Sequence, residues 1–168
     1  DMNEKLKAKF GVDKLINAVD NYQIYFDRKL IADNKLELEN IKDFAVLELE
    51  KDPTVLYAVS TTEVQEATIP EPIKQRLING INRERSGDIQ LISHDSMLPP
   101  YSKTGTTHSV WNSYDAHIPL IFMGWGIKHG ESNKQYHMTD IAPTVSALLP
   151  IQFPSGNVGN PITEVIGR

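Results

Sequence analysis

Two histidines, His108 and His117, lie nine residues apart in the stretch SKTGTTHSVWNSYDAHIPLIF and are the first candidates for chemistry. His108 follows a run of small hydroxylated residues. A neutral imidazole at such a position can bind Zn²⁺ through one ring nitrogen while an acceptor orients the other. Taken alone, a histidine in such a loop is more often a surface or hydrogen-bonding residue. His117 directly precedes an apolar run and is expected to bond a neighbouring carbonyl, and Asp115 could orient either histidine.

The other three histidines are weaker candidates. His94 and Asp95 form a pair at a predicted strand end, where turn formation explains the aspartate equally well. His129 and His137 flank a polar stretch, and both are expected to be solvated.

Self-contained catalytic motifs are absent from the sequence. It has no HExxH, no GxxxxGK[ST] and no GxSxG, and with no cysteine any zinc would be held by His, Asp or Glu. A catalytic zinc needs three protein ligands, and the residues alone offer one well-placed candidate. Residue types and spacing therefore give one candidate ligand and no complete site.

Composition limits the class of partner. The 168 residues carry 17 Lys and Arg against 22 Asp and Glu, a formal charge of -5, without a basic block. This balance argues against nucleic acid and anionic membrane as partners. The longest apolar runs fall short of the roughly 20 residues that a membrane helix needs, and the first residues lack the apolar centre of a signal peptide. The absence of cysteine is compatible with the cytoplasm or the periplasm.

The elements that must position these residues alternate between strand and helix. Apolar periodicity predicts an α/β fold, with a small mixed sheet and two helices against one face of it. The predicted order is a helix within 1–20 with an exit turn near Asp20, a strand in 21–30, a turn at 32–34, a helix over 36–51, and strands over 54–61 and 86–95 that flank a helix over 69–85.

The second part of the chain has a different texture. Residues 96–116 read as an irregular loop, 118–124 as a buried strand, and 138–149 as a helix with Thr139 or Asp140 as its N-cap. The Pro- and Gly-rich end is expected to be ordered only if it packs on something. We expect one domain, or a piece of a larger enzyme, over 1–168, with a strand-helix-strand-helix-strand subregion over 20–93 and a metal-loop and C-terminal segment over 94–168.

Three ordered motifs carry a family resemblance. GTTHS, YDAHIPLIFMGWGI and TDIAPT, between Gly105 and Ile162, resemble the C-terminal end of the alkaline phosphatase superfamily. The resemblance is to its PafA-like branch, which is related to the type I phosphodiesterases and nucleotide pyrophosphatases. Upstream, FGVDKLINAVDNYQIYFDRKLI is similar to the segment that follows the family's Asp-His-Gly metal motif. The resemblance implies that most of the active site precedes this chain, in a missing N-terminal part of the same protein.

The resemblance also implies a chemistry. In such enzymes two zinc ions are held by Asp and His residues, and a Thr or Ser nucleophile takes up the phosphoryl group. The histidine of the GTTH motif is a zinc ligand, which assigns that role to His108, while Thr104, Thr106 and Thr107 are expected to form hydrogen bonds. Ser109 stands where the family usually has Gly. The implied enzyme is a periplasmic or secreted phosphatase acting on a small phosphate ester.

Two alternatives stay open. A phosphodiesterase or a sulfatase of the same superfamily would differ in substrate-gripping residues that lie upstream. A non-catalytic binding or fold-support module is the other alternative, and the isolated chain is expected to be inactive.

Overall fold

A computed structural model of the chain describes residues 1–97 and 111–167. The chain divides into two compact units, Asp1–His117 and Ile118–Arg168, here called unit 1 and unit 2. The domain boundaries predicted from the sequence stay predictions. None of the described helices is long and apolar enough to cross a membrane.

The helices and strands, in chain order, are α1 (Met2–Phe10), β1 (Ile16–Asp20), β2 (Gln23–Phe26), α2 (Arg28–Asp33), α3 (Leu38–Leu49), β3 (Val55–Ser60), α4 (Glu71–Gly80), β4 (Ile89–Ser93), α5 (Ser113–Ala116), a 3-10 turn (Met138–Asp140), α6 (Ile141–Leu148) and α7 (Thr163–Ile166).

The four strands form one sheet with the order β1-β2-β4-β3. The predicted α/β fold class, a sheet with flanking helices, is confirmed. The strands over 54–61 and 86–95 and the helices over 36–51, 69–85 and 138–149 are confirmed with shorter bounds. Each strand pairing in the described part of the chain is antiparallel, so the sheet is not mixed.

Helices cover both faces of this sheet, and the prediction of two helices against one face is wrong. Consecutive residues of a strand point to opposite faces. Ala58 of β3 packs in a cluster with Ile41 and Ala45 of α3. The next residue, Val59, packs in a second cluster with Leu77 of α4. Helix α3 therefore lies on one face and α4 on the other, which explains why β3 and β4 are apolar at successive positions.

The hairpin of β1 and β2 is the main local difference from the prediction. Asp20 pairs with Gln23, so the connection is the two-residue turn Asn21-Tyr22. Both residues have positive φ, 49° and 61°, as the primed turns of tight hairpins require. The short helix predicted within 1–20 is α1, and the turn expected near Asp20 is this hairpin turn. The strand β1 was not predicted, because tyrosine at the second turn position hides the usual Asn-Gly signal of a hairpin.

The turn predicted over 32–34 is also wrong, because α2 occupies most of that stretch. The Asp27 side chain accepts a hydrogen bond from the Leu30 amide at 2.8 Å and starts the helix. Ile31 is 4% exposed and fixes α2 against the core. A single apolar pair, Leu30 and Ile31, gives too short a pattern for helical periodicity to be visible in the sequence.

Unit 2 differs sharply from unit 1 in what it buries. Residues 118–124, which were predicted to form a strand, form neither a helix nor a strand in the structure. Ile121, within this stretch, is 82% exposed. The prediction that this stretch is a buried strand is therefore not met in this structure.

Candidate functional site

His108 lies outside the described residues, as do Ser109 and the threonines Thr104, Thr106 and Thr107. The assignment of His108 as a metal ligand stays a prediction. The structure instead describes the two ends of the interval that carries His108, which run up to Met97 and resume at Trp111.

One tyrosine hydroxyl joins these two ends. The Tyr114 Oη accepts a hydrogen bond from the Ser96 amide at 3.0 Å and another from the Asn112 Nδ2 at 2.9 Å. Ser96 has a positive φ of 62°, so the chain turns sharply just after β4. The residues on either side of the interval are thereby held against a common acceptor.

The downstream end is also tied to α4. The Arg76 guanidinium lies 6.0 Å from the centre of the Trp111 ring, within the range of a cation-π contact. Its Nη1 donates to the Trp111 carbonyl at 3.5 Å. Trp111 also packs against the cluster that contains Leu77 and Ile92. The interval therefore ends on a packed aromatic residue.

Asp115 lies on the short helix α5 and His117 directly follows it; these two residues are the pair that sequence reasoning associated with His108. The His117 amide donates to the Ser113 carbonyl at 2.9 Å, and the Asp115 amide donates to the Asn112 carbonyl at 3.0 Å. The His117 side chain is exposed and that of Asp115 is half-buried. The expected bond of the His117 imidazole to a neighbouring carbonyl is not seen among the described contacts, because the bond to the Ser113 carbonyl comes from the backbone amide.

The remaining histidine candidates are separate and exposed. His94 follows β4, and its amide donates to the Thr54 carbonyl at 3.1 Å. His129 and His137 are both exposed, as was expected from the polar stretch between them. In the described ranges no group of three His, Asp or Glu side chains is close enough to hold a metal. The described residues alone therefore do not form a zinc site.

Sequence reasoning missed the role of the buried Asp140. Its carboxylate accepts from the His137 amide and from the Asn160 amide, both at 2.9 Å. These hydrogen bonds, the one from Asn160 first, lower the pKa of Asp140. Thr144 Oγ1 donates to the Asp140 carbonyl at 2.6 Å and accepts from the Ile162 amide at 2.9 Å. The TDIAPT motif therefore holds the Pro- and Gly-rich end against α6, which is the packing that its order was expected to need.

A buried lysine was also missed. Lys42 of α3 is 1% exposed, with its Nζ 2.6 Å from a Glu39 carboxylate oxygen. It donates to the Thr62 hydroxyl, which lies 3.0 Å from that of Ser60. Because its charge and hydrogen bonds are matched by these neighbours, Lys42 ties α3 to the end of β3, and nothing indicates a reactive amine.

A groove of about 530 Å³ between α3, β3 and the residues after β3 has the wrong charge for a phosphate ester. Four carboxylates line it, from Asp43, Glu50, Glu63 and Glu66, and no Lys, Arg or His is among its described lining residues. An anionic substrate would be repelled there.

Comparison with known proteins gives three relatives. The chain is 69% identical over its whole length to alkaline phosphatase PafA of Elizabethkingia meningoseptica, 31% of which it covers. It is 45% identical over 99% of its length to a protein of Myroides odoratus named a calcium-transporting ATPase, 30% of which it covers. It is 47% identical over 87% of its length to alkaline phosphatase PhoV of Synechococcus elongatus, 26% of which it covers. No family model matches the chain.

The fold is similar to a solved one. A crystal structure of wild-type alkaline phosphatase PafA superposes with a TM-score of 0.95 at 69% identity, over 99% of this chain and 32% of that one. The resemblance to the alkaline phosphatase superfamily and its PafA-like branch is thus confirmed. The chain spans about a third of the length of the proteins it matches.

Proposed function

We infer that this chain, which belongs to the PafA-like branch of the alkaline phosphatase superfamily over the third of those proteins that it spans, is the C-terminal part of a phosphatase. One observation carries this proposal: 69% identity extends along the whole chain, with a TM-score of 0.95 to the crystallised PafA. Identity at this level favours a shared reaction in the full-length protein. A missing N-terminal part would supply the other two thirds.

The proposed reaction is hydrolysis of a phosphate monoester of small-molecule size, through a covalent phospho-threonine or phospho-serine. The nucleophile and most metal ligands would lie upstream of Asp1. Two zinc ions, when bound, would stabilise the attacking and leaving oxygens of the displacement. The described residues offer no ligand set for them, so this chain would contribute the His108 imidazole, a donor of the right chemical type.

The described residues have a positioning role in this proposal. Tyr114 and the Arg76-Trp111 contact hold the two ends of the interval that carries His108. Asp115 lies on the adjoining α5 and His117 directly follows that helix, where they could orient ligands without touching the metal. Ser109, in place of the family's usual Gly, would be tolerated unless that position needs a positive φ.

The isolated chain is proposed to be inactive. A single imidazole does not hold zinc against water. Calorimetric titration of the 168-residue chain with Zn²⁺ should therefore show no submicromolar site. Tight binding would mean that this chain holds a ligand set of its own.

The location and partners follow from the same family. We propose a periplasmic or secreted enzyme whose partners are its own N-terminal part and a phosphate ester, with neither nucleic acid nor membrane among them.

The test of the proposed function is His108→Ala in the full-length protein. Loss of a metal ligand should lower kcat/KM on p-nitrophenyl phosphate by at least about 100-fold and reduce the bound zinc measured by mass spectrometry. His129→Ala, which removes an exposed imidazole of unit 2, should change neither. Wild-type rate and zinc content in His108→Ala at limiting zinc would contradict the proposal.

The same assay should include a diester and a sulfate ester of p-nitrophenol. A phosphomonoesterase hydrolyses the monoester fastest. If the full-length protein preferred the diester or the sulfate, the superfamily would stand and the monoesterase assignment would not.

A further inference from the structure

The strand β3 forms an outer edge of the sheet. In the order β1-β2-β4-β3, its strand neighbour among the described residues is β4 alone. Just beyond β3, the Thr61 amide donates to the carbonyl of Asp88, which directly precedes β4, at 3.0 Å. Backbone groups alternate in direction along an antiparallel pair, so those of Val59 point to β4 and those of Ala58 point away from it. In the described part of the chain no hydrogen bond reaches the Ala58 backbone. This edge therefore offers unpaired groups to a further strand.

The groove of about 530 Å³ between α3, β3 and residues 63–69 follows this edge and is here called the β3 groove. Ala58 lies on its floor and is 6% exposed. One wall comes from α3, with Leu47, which is 63% exposed. The other wall comes from residues 63–69, whose Ala67 and Ile69 pack with the cluster on the α4 face of the sheet. Successive side chains of a strand added at this edge would therefore face the two walls in turn.

Four exposed carboxylates make the β3 groove strongly acidic. Asp43 and Glu50 belong to the α3 wall, and Glu63 and Glu66 belong to the other wall. None of the four forms an ion pair with another described residue. The two glutamates within α3, by contrast, each pair with a lysine. Carboxylates on both walls without a countercharge attract a cationic group that lies between them.

A second copy of the chain is disfavoured as the occupant of the β3 groove. Pairing of two β3 edges would bring two sets of four carboxylates together, and like charges across an interface are costly. An extended peptide that carries lysine or arginine fits all three features of the groove. Its backbone meets the open edge, its apolar side chains meet Leu47 and Ile69, and its cations meet the carboxylates.

We propose that the β3 groove binds an extended, lysine- or arginine-bearing segment of another protein as an added strand. Main-chain hydrogen bonds to β3 supply the part of the affinity that does not depend on the peptide sequence, and the carboxylates select for positive charge. The proposal concerns unit 1 alone and does not depend on which reaction the full-length protein catalyses.

Calorimetric titration of the full-length protein with a designed peptide tests this proposal. The probe is a capped peptide of about eight residues in which two lysines stand on each side of a pair of valines. It should bind with a Kd below about 1 mM at low salt, and the Kd should rise with ionic strength. Absence of binding would overturn the proposal.

The matched control peptide has the same sequence with both valines N-methylated. It keeps the charge and loses main-chain donors in either orientation of the alternation. It should bind at least about 10-fold more weakly than the probe peptide, because hydrogen bonds to the edge are lost. Equal binding of the two peptides would mean attraction between charges without strand addition, and would overturn the proposal.

Removal of the charges on one wall gives a second readout. The double variant Glu63→Gln with Glu66→Gln should raise the Kd of the probe peptide about 5-fold, since each exposed charge pair contributes modestly. Glu84→Gln, at an exposed carboxylate outside the β3 groove, should leave the Kd unchanged. An unchanged Kd in the double variant would show that the peptide binds elsewhere, which contradicts the proposal.

Hydrogen exchange of the full-length protein distinguishes the other possible occupants. Saturating probe peptide should slow the exchange of the amides of 56–60 at least about 10-fold. The exposed turn 82–85 should not change and serves as the internal control. Equal protection of 56–60 without peptide in a monomer would mean that the preceding part of the same polypeptide covers the edge. Protection that depends on protein concentration would assign the edge to a second copy, and either result would overturn the proposal.

Discussion

Asp140 makes hydrogen bonds that its sequence context does not predict. The sequence predicts a helix N-cap at Thr139 or Asp140. The Asp140 carboxylate does lie at the start of α6, but its two amide partners come from His137 and from the distant Asn160. A single carboxylate therefore fastens both the 3-10 turn and the chain beyond α6.

Replacing Asp140 with Asn should lower the free energy of unfolding of the full-length protein by about 1–3 kcal/mol at neutral pH, since hydrogen bonds to a charged acceptor are weakened. The pKa of Asp140 lies below its ordinary value of 3.8. The folded state thus binds the proton less tightly than the unfolded state. The Asp140 carboxylate therefore contributes its full stabilisation above pH 3.8. This contribution is lost as the pH falls through the lowered pKa of the folded state.

Urea unfolding at pH 7 and at successive steps down to about pH 3 measures both effects. The difference between wild type and Asp140→Asn should shrink at the acid end. Glu131→Gln, at an exposed carboxylate of the same unit, should stay within about 0.5 kcal/mol of wild type. A difference that grew towards low pH would show that the carboxylate is not stabilised in the folded state.

At this scale, residue types in the sequence identify candidates but not partners. His108 stood out only as an imidazole among small hydroxylated residues, and its proposed role as a zinc ligand rests on the family motif. Lys42, by contrast, looks like a solvated helix residue in the sequence and is 1% exposed. Its burial depends on Thr62, which the chain brings near only by folding β3 alongside α3.

At the scale of elements, the contact between β2 and β4 depends on Gly87. A Cβ at Gly87 would lie 2.8 Å from the Gln23 Cβ and 2.8 Å from the Ile24 carbonyl oxygen. The neighbouring Asp88 amide donates to that same carbonyl at 2.7 Å. The approach of the two strands therefore leaves no space for a side chain at this position.

Gly87→Ala should lower the free energy of unfolding by about 1–3 kcal/mol, the usual cost of overpacking. Gly80→Ala is the matched control, because a Cβ at the end of α4 meets nothing within 4 Å, and alanine favours the helix. Denaturant unfolding of both variants against wild type decides the matter. Equal stability of Gly87→Ala and Gly80→Ala would mean that β2 and β4 can separate without loss.

Elements with long apolar periodicity were predictable, and those fixed by special backbone geometry were not. The helix α3 and the strands β3 and β4 follow their patterns because each buries apolar side chains. The helix α6 was predicted from the same periodicity, although the residues it buries are Pro143, Thr144 and Ser146. The strand β1 was missed because Asn21-Tyr22 adopts a turn that usually needs glycine. The stretch 118–124 has the composition of a core strand, and no strand of the described residues pairs with it.

At the scale of the whole molecule, the two units differ in how much hydrophobic core each contains. Unit 1 has two hydrophobic clusters, one on each side of the sheet. Each fully buried Leu, Ile or Phe contributes roughly 1.5–3 kcal/mol, which is enough in sum to oppose the loss of chain entropy. Unit 2 has no comparable core in its described residues.

Expressed separately, residues 1–117 should give a cooperative thermal transition and dispersed amide NMR signals. Residues 118–168 should give the circular dichroism and narrow amide dispersion of an unfolded peptide. A cooperative transition in 118–168 alone would contradict this reading of its core. The two excised pieces act as controls for each other, since both are cut at the boundary between His117 and Ile118.

The hydroxyl of Tyr114 has a consequence for how this molecule can change. Because one atom receives both Ser96 and Asn112, the described residues just before and just after the interval are fixed with respect to each other. Longer connections cost only slightly more closure entropy. We therefore expect the stretch between these points to tolerate changes in length and sequence. We expect that changes of sequence or length there alter the chemistry of the molecule while the sheet and its two covering helices stay as they are.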